Sequence, residues 1–147
     1  MGPTKKCLLV LSLLCALIVG CAGGSLGGPT PTPDPCSPTE IDKYLDAIRD
    51  VSRRFDDASM LANNTPRMSL PPVISDMQAI RRQAEDLKVP DCADAAKEAL
   101  VAYMNAVIDA FTAFLGQESD SEVNAAFDRA STLMDRYLDE MSRLGSD

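Results

Sequence analysis

The chain has 147 residues, a formal net charge of −8 and no histidine. That length suffices for one domain with its own core, and the acidic balance leaves no electrostatic footprint for nucleic acid. Without histidine, Ser-His-Asp and Cys-His catalysis, His-ligated haem and Glu-x-x-His di-iron sites are excluded.

The first expected element is an export signal. Lys5 and Lys6 precede an apolar run from Leu8 to Val19, broken only by Ser12. The run is too short to span a bilayer and has the layout of a secretory signal. Ile18-Val19-Gly20-Cys21 closes it. These four residues resemble the lipobox of bacterial lipoproteins: an aliphatic residue, two smaller ones and an obligatory Cys. The resemblance covers only the first 21 residues. It implies loss of residues 1–20 and lipidation of Cys21 with acyl chains such as palmitate. The mature protein would then be extracytoplasmic, anchored to the bacterial cell membrane or outer membrane. Ala22 stands where an Asp would imply inner-membrane retention in a diderm, which leaves the outer membrane open. Processing would leave 127 residues, and loss of Lys5 and Lys6 would take the net charge to −10. Anionic headgroups repel such a surface, so the anchor on Cys21 must hold the protein to the membrane.

Residues 22–35, Ala-Gly-Gly-Ser-Leu-Gly-Gly-Pro-Thr-Pro-Thr-Pro-Asp-Pro, read as a tether of flexible glycines and extended prolines. Of five cysteines, Cys7 and Cys15 leave with the signal and Cys21 takes lipid. Cys36 and Cys92 remain, an even pair in an exported setting, and are expected to form a disulfide.

Residues 36–147 are helical in pattern, with no strand-like alternation and no internal repeat. Ser37-Pro38-Thr39-Glu40 predicts a capping box opening a helix near 38–62, with Ile41, Tyr44, Leu45, Ile48, Val51, Phe55, Ala58 and Ala62 inward. Asn63-Asn64-Thr65-Pro66 ends it. The same residues match a glycosylation sequon only weakly, given the proline and the bacterial signal. A second helix is expected near 71–88, opened by Ser69 and Pro71-Pro72 and stopped by Pro90, with Leu70, Val73, Ile74, Met77, Ile80, Ala84 and Leu87 on its apolar stripe. Asp91 is the expected N-cap of a third, near 92–115. Ser119-Asp120-Ser121-Glu122 predicts a second capping box and a helix near 120–144, with Val123, Phe127, Ala130, Leu133, Met134, Tyr137, Met141 and Leu144 inward. Short connections make sequential helices antiparallel neighbours, so the expected fold is all-α, an up-down-up-down four-helix bundle.

The third helix has the widest apolar surface. Leu100, Tyr103, Met104, Val107, Phe111 and Phe114 share a face, with Ala99, Ala102, Ala106, Ala110 and Ala113 along one flank. Val101, Ile108 and Leu115 widen the other edge. Either this helix packs deepest or that edge meets a partner or second copy.

No catalytic motif, cofactor motif, Gly-rich phosphate loop or Asp-x-Asp-x-Asp-Gly calcium loop is present. The carboxylates Asp42, Asp46 and Asp50, and Asp135 and Asp139, stand at helical spacing, where Arg53, Arg54, Arg136 and Arg143 offer ordinary surface pairing. Arg81-Arg82 reads as a solvated face. Tyr103, Phe111, Phe114, Phe127, Met134, Tyr137 and Met141 could line a cavity between the third and fourth helices, although such residues are more often core. The leading expectation is a non-enzymatic, lipid-anchored helical module that binds an unidentified envelope protein or scaffolds the envelope. The alternative is a small-molecule or divalent-ion binding bundle. An enzyme working by carboxylates alone ranks last, because these acids lie on outward faces.

Overall fold

The computed structural model describes residues 32–145. The expected signal segment, Cys21 and the tether through Pro31 lie outside the described residues. Four α-helices make up the domain: α1 (Pro38–Asn63), α2 (Leu70–Asp86), α3 (Asp91–Leu115) and α4 (Asp120–Leu144), with a 3-10 turn at Arg67–Ser69 between the first two. The fold is an all-α four-helix bundle, and no strand occurs among the described residues.

Entry into α1 is set by Asp34. Its side chain accepts from the Cys36 amide at 2.9 Å and its carbonyl accepts from the Ser37 amide at 3.0 Å. Asp followed by Pro35 is a favoured start for such a turn, so the end of the expected tether is already part of the domain. The turn also explains why the first capping box does not form. The Ser37 amide is taken by Asp34, the Ser37 side chain makes no capping bond, and Glu40 reaches Lys43 at 2.7 Å instead. At α4 the N-cap amide is free for its box: Ser119 N–H donates to Glu122 at 3.0 Å, and Glu122 N–H returns to the Ser119 hydroxyl at 3.4 Å. Ser119→Ala should therefore cost about 1 kcal/mol of stability and Ser37→Ala only a few tenths, measured by denaturant midpoints. Equal losses would contradict the difference between the two caps.

The other helix ends differ slightly from expectation. Pro90 forces the residues before it out of helix, and Leu87 is already extended (ψ 127°), so α2 stops at Asp86, two residues before the expected end. Pro90, not Asp91, is the N-cap of α3, while Asp91 and Asp94 lie in the first turn, where the helix dipole favours negative charge. Past Gly116, Gln117 carries the left-handed conformation (φ 61°) one residue after the glycine that would adopt it most easily.

Helix α3 is the hub. It packs against α1, α2 and α4, and its buried residues run around most of its circumference, from Ala93, Ala96 and Ala99 through Leu100, Met104, Val107 and Ile108 to Ala110, Phe111 and Ala113. By length and hydropathy it is apolar enough to cross a membrane, and in this fold it is the core helix. The edge left open in the sequence is split: Ile108 is buried, while Val101 and Leu115 are half-buried against the core. Small residues on both helices, Ala110 and Ala113 on α3 with Ala126 and Ala130 on α4, let α4 lie close along α3. The cost is on the other side. The backbones of α1 and α4 stay apart, and of the α4 positions expected inward only Ala130, Tyr137 and Met141 are buried. Val123, Phe127, Leu133, Met134 and Leu144 are half-exposed.

Cys36 and Cys92 stand at disulfide distance, with Sγ atoms 2.10 Å and Cα atoms 6.1 Å apart. This places the start of α1 beside the start of α3. At the other end Phe111, late in α3, meets Phe127, early in α4, edge-to-face at 5.3 Å. The Arg67 guanidinium covers the Phe114 ring there at 4.4 Å.

Candidate functional site

The gap between α1 and α4 is a groove floored by α3. Its volume is about 260 Å³, lined by Ser59 and Asn63 of α1, Tyr103, Val107 and Phe111 of α3, and Phe127, Ala130, Ser131 and Met134 of α4. A smaller hollow of about 180 Å³ continues it past Phe111 and Phe127 to Phe114, Ala62 and Thr65. The expected aromatic and Met cavity is thus present in altered form. Tyr103, Phe111, Phe127 and Met134 line the groove and Phe114 its extension, whereas Tyr137 and Met141 are buried in the core.

The sequence reading missed the polar wall. Ser52, Asp56, Ser59 and Asn63 follow one another on α1 at spacings of four, three and four, which puts them in one row beside the buried Phe55. The signal was visible as a second periodicity on α1, but polar residues at helical spacing normally read as solvated. Here the row faces the seam. The Tyr103 hydroxyl donates to Asp56 Oδ1 at 3.2 Å, linking α3 to α1, and the Tyr103 ring packs edge-on against Phe55 at 5.8 Å. Ser52 is buried, and its hydroxyl lies beside that of Tyr137 from α4. The Ser59 Oγ is buried with no hydrogen-bond partner.

The electrostatics follow from partial burial. Desolvation raises the Asp56 carboxyl above its ordinary pKa, opposed by the Tyr103 hydrogen bond and reinforced by neighbouring Asp57. Burial also raises the Tyr103 phenol, with the Asp56 charge and hydrogen bond adding to it, and raises that of Tyr137, opposed by Ser52. Both tyrosines therefore remain hydroxyl donors throughout the physiological range. For Asp56 the folded pKa lies above the unfolded value of about 3.9. Its favourable contribution is complete when the group is protonated and is lost as pH rises through the folded pKa. Asp56→Asn escapes that loss and keeps an acceptor for Tyr103. Its melting temperature relative to wild type should therefore rise between pH 3.5 and pH 7, and a constant difference would refute a desolvated carboxylate.

The carboxylates singled out on the first and fourth helices lie on the surface. Asp46 pairs with Arg49 at 3.1 Å, and Asp50 with Arg53 at 3.1 Å and Arg54 at 3.4 Å. Asp42, Asp135 and Asp139 are exposed, and Arg143 pairs with Glu140 rather than with Asp139. Arg81 corrects the reading of its pair with Arg82 as a solvated face: its side chain is 23% exposed and bonds Glu85 at 2.6 Å. Among the described residues no group of three or more Cys, Asp or Glu side chains is placed to hold a metal ion, so the divalent-ion alternative gains no support. Comparison with family models, curated proteins and solved structures found no match to this chain.

Proposed function

We propose that this chain is a lipid-anchored, extracytoplasmic binding module of the bacterial envelope, non-enzymatic, whose binding surface is the α1–α4 groove. An up-down-up-down order suits it, supported by the shared end of α1 and α3 and by the Phe111–Phe127 contact at the other. The observation that carries the proposal is the seam itself: half-exposed aromatic and Met side chains facing a polar row on α1, a composition typical of small-molecule sites. The full chain should bind the neutral apolar dye Nile red at one site. Ser131→Phe, which fills the groove from its exposed rim, should weaken that binding at least tenfold. Equal binding by wild type and variant would remove the groove from consideration.

The anchor has its own test. Two or three acyl chains hold a protein stably where one is marginal. Wild type is expected in the membrane fraction and Cys21→Ser unprocessed at that site. A Cys21→Ser protein cleaved elsewhere and still membrane-bound would show that lipid on Cys21 is not the anchor.

A protein partner is a second reading, favoured by Met60, Leu61 and Met68, which are 58%, 57% and 89% exposed. They cluster around the α1–α2 corner, one full length of α1 (about 39 Å at 1.5 Å per residue) from the end where the chain enters. Exposed Met-rich corners suit adaptable protein contacts. An envelope protein crosslinked to wild type but released by Met60→Glu with Met68→Glu would establish it, and retention by that variant would dismiss it.

A further inference from the structure

We propose that the groove recognises a small organic ammonium, its compact apolar body against Phe127 and Met134 and its charged nitrogen on the carboxylate of Asp56. This deepens the groove reading above and rests on it. Three observations point to a cation. First, Asp56 is half-buried, and among the described residues no lysine or arginine pairs with it. The arginines of its own helix are already engaged: Arg49 by Asp46, Arg53 by Asp50, and Arg54 by Asp50 and by Gln83 at 2.6 Å. A partly desolvated carboxylate without a counter-charge is costly, and an ammonium entering the groove would supply one.

Second, the side chains that connect Asp56 to the groove are themselves groove lining. Tyr103 lines it and holds Asp56 Oδ1, while Ser59, one turn along α1, lines it with a buried hydroxyl that lacks a partner. An ammonium has several N–H donors, so one can meet Asp56 while the others meet neighbouring oxygens or water. Third, the aromatic faces of the groove attract cations as well as apolar groups. The volume, about 260 Å³, falls just under the usual range for drug-sized ligands, so the occupant is small. A bare metal ion would need more oxygen ligands than one carboxylate, and no such cluster occurs among the described residues.

The chain provides its own reporter. It has no tryptophan and three tyrosines, and one of these, Tyr103, lines the groove and holds the carboxylate proposed to bind the nitrogen. Tyrosine emission of the full chain in phosphatidylcholine bilayer discs can be titrated with cyclohexylmethylamine, which does not absorb, and with its neutral analogue cyclohexylmethanol. The amine should give a saturable change and bind at least tenfold more tightly than the alcohol. Asp56→Asn should abolish that preference, whereas Asp56→Glu, which keeps the charge, should retain it. A preference unchanged in a folded Asp56→Asn variant, or no saturable response in wild type, would overturn the proposal. If amine and alcohol bind equally and Ser131→Phe weakens both, the ammonium falls and the groove stands. If Ser131→Phe affects neither these ligands nor Nile red, both fall.

Discussion

Replacing Cys36 and Cys92 with serine should lower the unfolding free energy by roughly 4 kcal/mol, the chain-entropy value for a closed loop of this size. The bond spans a sequence separation of 56 residues, so it restrains nearly half of the helical domain in the unfolded state. It also ties the start of α1 to the start of the hub helix, so its loss frees the element that forms one wall of the groove. Strain and residual structure in the unfolded chain reduce such figures, and the value is an upper one. Denaturant midpoints of the purified protein with and without reductant make the measurement. Reductant should shift wild type strongly and leave the double-serine variant unmoved. An identical wild-type midpoint in both conditions, or free thiols at both Cys36 and Cys92, would show that the pair is not bonded.

The pairing of these cysteines was legible because two independent features of the sequence agree on it: the even pair that remains if the expected signal is removed and Cys21 takes lipid, and the expected helix order, which puts two N-termini at one end. The helices were legible for a similar reason, since their apolar positions repeat at helical spacing and proline, asparagine and glycine punctuate them. What periodicity cannot convey is which pair of helices approaches closely. The alanines at 110, 113, 126 and 130 looked like a flank, and their consequence is architectural: α4 leans on α3 and away from α1. That shift turned Phe127 and Met134 from core residues into groove lining. It also left the polar row of Ser52, Asp56 and Ser59 along the seam, where a regular bundle would have closed over it. The first capping box failed for a local reason equally invisible to spacing, the prior claim of Asp34 on the Ser37 amide.

Leu100→Ala should cost about 2–5 kcal/mol, whereas Phe127→Ala should cost less than half as much despite deleting the larger side chain. Leu100 is fully buried on the face of α3 that the other helices enclose, so its removal leaves a cavity that cannot collapse. Phe127 is half-exposed on the groove wall, with one edge-to-face contact to Phe111, and water can fill the space it leaves. In a regular bundle with α4 closed on α1 the two costs would be comparable, because a buried phenylalanine costs about 3–5 kcal/mol on truncation. The same asymmetry should appear in amide exchange. Backbone amides of α3, packed on three sides, should be the last to exchange, and those of α4 facing the seam should exchange earlier. Equal costs for the two substitutions, together with uniform protection of α3 and α4, would mean that the seam closes in solution. The Asp56 row would then be a buried structural contact, because no ligand could reach it.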